Sequence, residues 1–234
     1  MAKLEVTGQK RVRRQVNRLP ATRRIEDIMA AARQVFSEKG YADASITDIA
    51  LKAGVVEGSI YRFFQNKRDL LIRVVENWYE ETLLSDDQQL ASMKGTWNKL
   101  RFIIYHHLLS IKREPALARL VLQELRLDPE YRNSKLFHLN QSYTHRVTEV
   151  VKEAIEHGEF RTDVSPSFVR DLVYGCIEHR TWAFLRNEGD FNENDTADKL
   201  ADMVYRGLAI EPDRQEPMKE VLSKLDYLIG KIDR

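Results

Sequence analysis

The chain has 234 residues, is 43% hydrophobic and 31% charged, and carries a formal net charge of +1, the balance of a soluble globular protein with one or two domains. No apolar run approaches the roughly 20 residues of a membrane-spanning helix, and the polar, basic N-terminus lacks the apolar core of a secretory signal. Membrane and secreted classes are therefore set aside and a cytoplasmic location is expected. A single cysteine, Cys176, excludes an internal disulfide and reads as a small buried core residue.

In chain order, residues 1–20 read as a flexible basic arm ending at Pro20. Residues 1–24 hold eight basic side chains, Arg24 among them, against Glu5, so this end carries +7 and the rest of the chain −6. That asymmetry points to nucleic acid or another anionic surface. From Thr22, Ile25, Ile28, Met29, Ala32, Val35 and Phe36 recur at helical spacing, and Gly40 stops the helix. Ser45 followed by Asp48 predicts a capped second helix with Ile46, Ile49 and Ala50 on its apolar face, ended by Gly54. A third, short helix is expected near Glu57–Phe64, and a fourth runs from near Lys67 through Trp78.

The remainder also has helical period. Helices are expected over Thr96–Lys112, Pro115–Leu127 and Pro129–His157, the last closed by Gly158. Ser165-Pro166 opens another, which stops near Gly189, and Asn194 or Asp195 opens one ending near Gly207. An amphipathic helix over residues 217–231 comes last. No strand alternation or internal repeat is visible, so the fold class is all-α with about ten helices.

Three short helices with Gly54 in the second turn form a helix-turn-helix pattern. On a helical wheel of the third helix, Ile60 and Phe64 face a core while Gly58 and Arg62 face away, with Ser59 and Tyr61 on the flanks. That outward face suits a major groove. Gly58 lets the backbone approach base edges, and Arg62 offers a guanidinium to guanine or phosphate. Ser59 and Tyr61 can donate to phosphates. Ser45, Thr47 and Lys67 stand at helix starts, where phosphates bind well. Glu57 is awkward beside phosphates; it either accepts from cytosine N4 or repels wrong sequences.

The run FSEKGYADASITDIALKAGVVEGSIYRFFQNKRDLL, residues 36–71, carries Phe36-x-x-x-Gly40-Tyr41, Thr47-x-Ile49-Ala50, Ala53-Gly54-Val55, Tyr61-x-x-Phe64 and Asn66-Lys67. From Arg24 to Leu71 the chain resembles the DNA-binding domain of the TetR family of bacterial transcriptional regulators. The resemblance implies an all-helical homodimer, usually a repressor, that binds a palindromic duplex operator and whose second domain takes a small effector. It matches Ser45, Thr47, Gly58, Ser59, Tyr61 and Lys67 to positions that touch DNA. Arg62 replaces the frequent tyrosine or tryptophan there. The domain lines are then 1–20 for the arm, 21–68 for the helix-turn-helix domain, 69–211 for the effector-binding and dimerisation domain and 212–234 for an added helix.

Three segments, LVLQELR (120–126), IEHGEF (155–160) and VYGCIEHRTWAFLRN (173–187), are similar to the acyl-CoA-responsive regulators of fatty-acid degradation. That likeness implies a long-chain acyl-CoA or related CoA thioester as effector, and no cofactor. Candidate pocket residues are Phe102, Tyr105, His106, Leu109, Leu122, Gln123, Tyr143, Val147 and Trp182, with Arg119, Arg126 and Arg146 for CoA phosphates; ordinary core packing and surface ion pairs are the competing readings. A dimer interface is expected from Phe168, Leu172, Tyr174 and Trp182 on one helix and Leu200, Met203, Val204 and Leu208 on the next. His106 and His107 are adjacent, point apart and have no cysteine beside them, so no metal site is expected. No nucleotide-binding, metalloprotease or hydrolase motif identifies a reaction, so the chain is not read as an enzyme. The alternative within the same family is a drug-sensing repressor of an efflux system.

Overall fold

A computed structural model describes residues 20–210; the basic arm and the helix expected over residues 217–231 lie outside the described residues. The described regular structure is helical apart from one isolated bridge between Phe160 and Ala209. Its first part comprises α1 (Ala21–Asp43), α2 (Ile46–Lys52), α3 (Glu57–Tyr61) and the start of α4 (Lys67–Ser92). The second part adds α5 (Thr96–Arg113), α6 (Pro115–Leu120), a π turn (Val121–Leu125) and a 3-10 turn (Tyr131–Asn133). It continues through α7 (Lys135–Glu156) and α8 (Pro166–Leu185) to α9 (Glu193–Leu208).

Local chemistry explains most of these limits. Gly40 leaves helical geometry at φ 75°, ψ 176°, and one more turn carries α1 to Asp43. Ser45 and Asp48 form a complete capping box: the Ser45 hydroxyl accepts from the Asp48 amide, and the Asp48 side chain accepts from the Ser45 amide. The Lys39 ammonium and both Ser45 donors hold the Asp48 carboxyl at about 2, well below its usual range. At the other end of α2, the Gly54 amide donates to Leu51 and the Val55 amide to Ala50, with Gly54 at φ 65°. This paired closure needs a left-handed residue, which glycine adopts without strain.

Three boundaries differ from the sequence reading. The helix expected over Pro115–Leu127 is α helix only to Leu120; its last turn widens so that the Arg126 amide donates to Val121, five residues back. The helix expected from Pro129 starts at Lys135, because Ser134 accepts from the Phe137 amide and is the effective cap. The third helix ends at Tyr61, and the amides of Phe63 and Phe64 converge on the Ile60 carbonyl.

Burial gathers into two apolar clusters. The first holds Ile28, Phe36, Ile49, Ile60, Phe64 and Leu71 together with Leu117, Leu120, Val121 and Leu125 from α6 and the π turn. The second joins α5, α7, α8 and α9 through Leu100, Ile104, Leu108, Val147, Val151, Val173, Ile177 and Ala201. Helix α4 runs past the expected division at residues 68 and 69: Leu70, Leu71, Val74 and Val75 still pack in the first cluster, and Trp78 packs against both. Cys176, read as core, is exposed. It lies one helical turn beyond Leu172 on the outward side of α8, which no described element covers.

Replacing Ser45 by alanine leaves the Asp48 amide uncapped. A loss of about 1 kcal/mol is expected, read as a fall in melting temperature of about 2–4 °C; an unchanged midpoint would show that the box contributes nothing to stability.

Candidate nucleic-acid interface and effector cavity

Helix α3 is anchored by Ile60 and Phe64, each about 1% exposed. This turns Glu57, Gly58, Tyr61 and Arg62 to solvent and leaves Ser59 half-buried. A Cβ built on Gly58 meets nothing within 4 Å, so no described neighbour requires glycine there. Arg62 follows α3 as its C-terminal cap and lies over the Phe63 ring, 4.6 Å from its centroid, which steadies a long exposed side chain. Arg24 stands half-buried in the first turn of α1.

Three side chains expected to meet phosphates already hold partners. The Ser45 hydroxyl donates to Asp48 at 2.7 Å while serving as the α2 cap. Thr47 donates its hydroxyl to Glu57 Oε1 at 2.6 Å, joining the first turns of α2 and α3. Lys67 Nζ donates to the carbonyls of Tyr41 at 2.7 Å and Ala44 at 2.8 Å, and lies 4.5 Å from the Tyr41 ring. The ammonium thereby satisfies carbonyls at the end of α1 that have no helical partner. Lys67 also begins α4, whose first turn holds the Asp69 carboxylate and is capped by the Asn66 side chain, which accepts from the Asp69 amide at 2.9 Å. Sequence spacing could not show the Lys67 bonds, since their partners lie 23 and 26 residues away.

A cavity of about 260 Å³ opens between α4, α5, α6 with the π turn that follows it, α7 and α8. Its apolar wall is Trp78, Ile111, Ala118, Val121, Leu122 and Leu185. Polar groups enter from Tyr79, His107, Asn140, Thr144, Tyr174 and Thr181, while Arg126, Asp171 and Glu178 also line it. Arg126 Nη1 and Glu178 Oε2 are 3.0 Å apart, an ion pair linking the π-turn segment to α8. The Tyr79 hydroxyl donates to Asn140 Oδ1 at 3.1 Å, and His107 Nδ1 shares a hydrogen bond with the Tyr143 hydroxyl at 3.0 Å. Burial pushes the phenols of Tyr79, Tyr143 and Tyr174 upward and His107 down to about 3, where nearby Arg146 and Arg126 add to the effect. The cavity lining is therefore uncharged at His107 and rich in neutral donors and acceptors.

The expected pocket residues separate into groups. Leu122 and Arg126 line the cavity, and Tyr143 stands directly behind His107. Phe102 and Val147 are buried in the second cluster; His106 stacks on Phe102 at 4.0 Å and pairs with Asp86 at 2.9 Å. Tyr105 lies beside Arg101, Leu109 and Arg119 are half-buried, and Gln123 and Trp182 are exposed. Arg146 lies over the Tyr143 ring at 4.3 Å and near Asp86 and Asp87. The residues that sequence reasoning missed, such as Tyr79, His107, Asn140 and Thr181, share one signal: a hydrogen-bonding group set within an otherwise apolar helical stripe.

The expected interface residues also separate. Phe168, Leu172, Trp182 and Met203 are between 45% and 74% exposed, and they form an outward apolar face on α8 and α9. Leu200, Val204 and Leu208 are buried in the second cluster, and the Tyr174 ring packs edge-on to His107 at 5.1 Å.

Keeping His107 neutral has a pH cost. Below its unfolded value near 6.5 the unfolded chain takes up a proton that the folded site refuses until about 3, so stability falls as pH drops through that window. Against His107→Gln, the native protein should lose about 1–2 kcal/mol more between pH 7 and pH 5. Urea unfolding at the two pH values measures this; equal losses would show that the folded site accepts the proton normally.

Comparison with known proteins agrees with this architecture. The family model for bacterial regulatory proteins of the tetR family matches residues 28–74, and that for the tetracyclin repressor-like C-terminal domain matches residues 94–208. The fatty acid metabolism regulator protein of Bacillus subtilis is 23% identical over 181 residues, covering 77% of this chain and 93% of the relative. The transcriptional repressor KstR2 of Mycobacterium tuberculosis is 29% identical over 168 residues, 68% of this chain and 78% of that one. In fold, the chain is similar to the transcriptional regulator FadR from Bacillus subtilis in complex with stearoyl-CoA, with a TM-score of 0.70, 23% identity, and coverage of 78% and 98%. With an exposed helix-turn-helix face, a helical second part, and models of one family matching both, the chain belongs to the TetR family of DNA-binding transcriptional regulators.

Proposed function

We propose that this regulator is a cytoplasmic homodimeric repressor, released from a near-palindromic duplex operator by a fatty acyl-CoA or related CoA thioester. The observation that carries the reading is a wall shared by the cavity and the DNA-binding core. Ala118, Val121 and Leu122 line the cavity, while Leu117, Leu120, Val121 and Leu125 of the same segment pack in the first cluster. Two ion pairs fasten that segment to the DNA-binding helices: Arg33 to Glu114 at 2.7 Å, and Arg68 to Asp128. An effector that enlarges the cavity displaces a wall on which α1 and α4 rest, and it shifts the equilibrium only by its preference for one arrangement. The apolar wall suits an acyl chain, Arg126 suits a phosphate or carbonyl, and the stearoyl-CoA held by the similar FadR structure supports this class.

The exposed Phe168, Leu172 and Trp182 of α8 and Met203 of α9 are the proposed dimer interface, since large apolar side chains gathered on the outward side of two successive helices favour association. A twofold dimer would set two α3 helices into successive major grooves, about 34–36 Å apart. A second reading has its own support. Asp171 and Glu178 line the cavity with Trp78, Tyr79 and Tyr174, a combination that also suits a cationic aromatic compound and hence a drug-sensing repressor.

Duplexes selected by the protein from a random pool provide the operator for the test. Stearoyl-CoA should weaken binding to them where free CoA and cationic dyes do not; release by dyes alone would favour the drug-sensing reading. Leu122→Trp, which fills the cavity, should keep operator binding and lose the response. Trp182→Glu with Met203→Glu should give a monomer by native mass spectrometry and reduce operator affinity by about tenfold or more; a dimer that persists would place the interface elsewhere.

A further inference from the structure

Helix α3 begins with a carboxylate at the end that a helix-turn-helix protein sends into the groove. Glu57 is exposed, as are Gly58 beside it and Thr47 opposite it. A bare carboxylate at that place is unfavourable beside phosphates, and no cation among the described residues is paired with it. Two neighbouring acidic groups of the domain are neutralised locally, Asp48 by Lys39 at 2.8 Å and Glu38 by Lys52 at 2.5 Å. Glu57 instead takes a hydroxyl donor, Thr47, at 2.6 Å. The bond fixes the carboxylate across the seam between α2 and α3, engages Oε1 and leaves Oε2 as an acceptor on an exposed side chain.

We infer that Thr47 and Glu57 act together as a base-reading couple that selects cytosine in each half-site of the operator. The inference rests on the DNA-binding assignment and adds one base position to it. A carboxylate can only accept. In the major groove, guanine presents N7 and O6 acceptors and thymine an O4 acceptor, both of which repel it. Adenine offers its N6 donor beside the N7 acceptor, so a carboxylate placed there gains one contact and meets one repulsion. Cytosine presents its N4 donor without an adjacent acceptor of its own, and it alone suits Oε2 without conflict. Gly58 supports the approach, because its missing Cβ leaves more than 4 Å of open space beside the backbone and nothing inside the described protein uses that space. Thr47 is the positioning residue: holding one oxygen restricts the rotamers of Glu57 before DNA arrives, which lowers the ordering cost of the contact.

The test is selection from random duplexes with the full-length protein and three variants. The native protein should return sites with a fixed C·G pair at one position of each half-site, favoured on the order of tenfold over other pairs. Glu57→Gln should move that position toward adenine, since glutamine pairs with adenine N6 and N7. Thr47→Val should broaden the same position and no other, while Thr47→Ser, which keeps the hydroxyl, should restore the native preference. All the substituted side chains are exposed, and matched melting curves verify folding. The inference is overturned if the variants return the native consensus, or if Glu57→Gln raises affinity for every duplex equally, the result expected of a carboxylate that only repels phosphate. A native protein that enriches no sequence would sink the DNA-binding assignment as well, whereas an enriched site without the coupled cytosine sinks the couple alone.

Discussion

The segment from Pro115 to Leu125 has two sides and both are occupied. One side closes the cavity and the other completes the core beneath the helix-turn-helix. Close-packed interiors do not absorb a displaced wall gradually, because side chains interdigitate with few voids. Movement at Leu122 must therefore be taken up at Leu117, Leu120 or Leu125, and from there by α1 and α4. The π turn at Val121–Leu125 lies within this segment. A widened turn places a fifth residue in the space of four and changes which side chains face inward, a feature often found where a helix serves a site. Val121, its first residue, contributes to both surfaces.

Charge reinforces that junction. Arg33 of α1 reaches Glu114 and also Glu81 of α4, at 2.7 and 3.2 Å. Arg68 reaches Asp128 and the Glu124 carbonyl. Each is partly exposed, so each contributes modestly to stability in water. Their placement matters more than their strength: both attach the ends of one cavity wall to helices that carry the DNA-binding face.

The helix-turn-helix was legible in the sequence because its signals are local. A serine with an acid three residues on, a glycine that must be left-handed, and a four-residue step from Ile60 to Phe64 each act within one or two turns. The cavity was less legible because it is assembled from five segments, each contributing a few side chains. Leu122 and Arg126 were found through a resemblance in that stretch, but His107 and Tyr79 were hidden among residues that read equally well as core. On the two helices proposed for the dimer interface, sequence pattern and exposure diverge. Periodicity shows that α9 has an apolar side, yet that side, with Leu200, Val204 and Leu208, is consumed within the chain against α5, and the outward Met203 breaks the pattern. Lys67 shows the remaining limit: its place in the motif was visible, but its ammonium is held by carbonyls distant in sequence.

Backbone conformation sets Gly58 apart from Gly54. At Gly54 the backbone itself demands glycine, so a replacement strains the turn before any ligand arrives. At Gly58 the backbone is helical and the surroundings are empty, and most side chains would favour that helix more than glycine does. Folding alone therefore gives no reason for glycine at this position. What the missing methyl group leaves is open backbone on the face of the third helix, space that only a partner from outside the described chain would use.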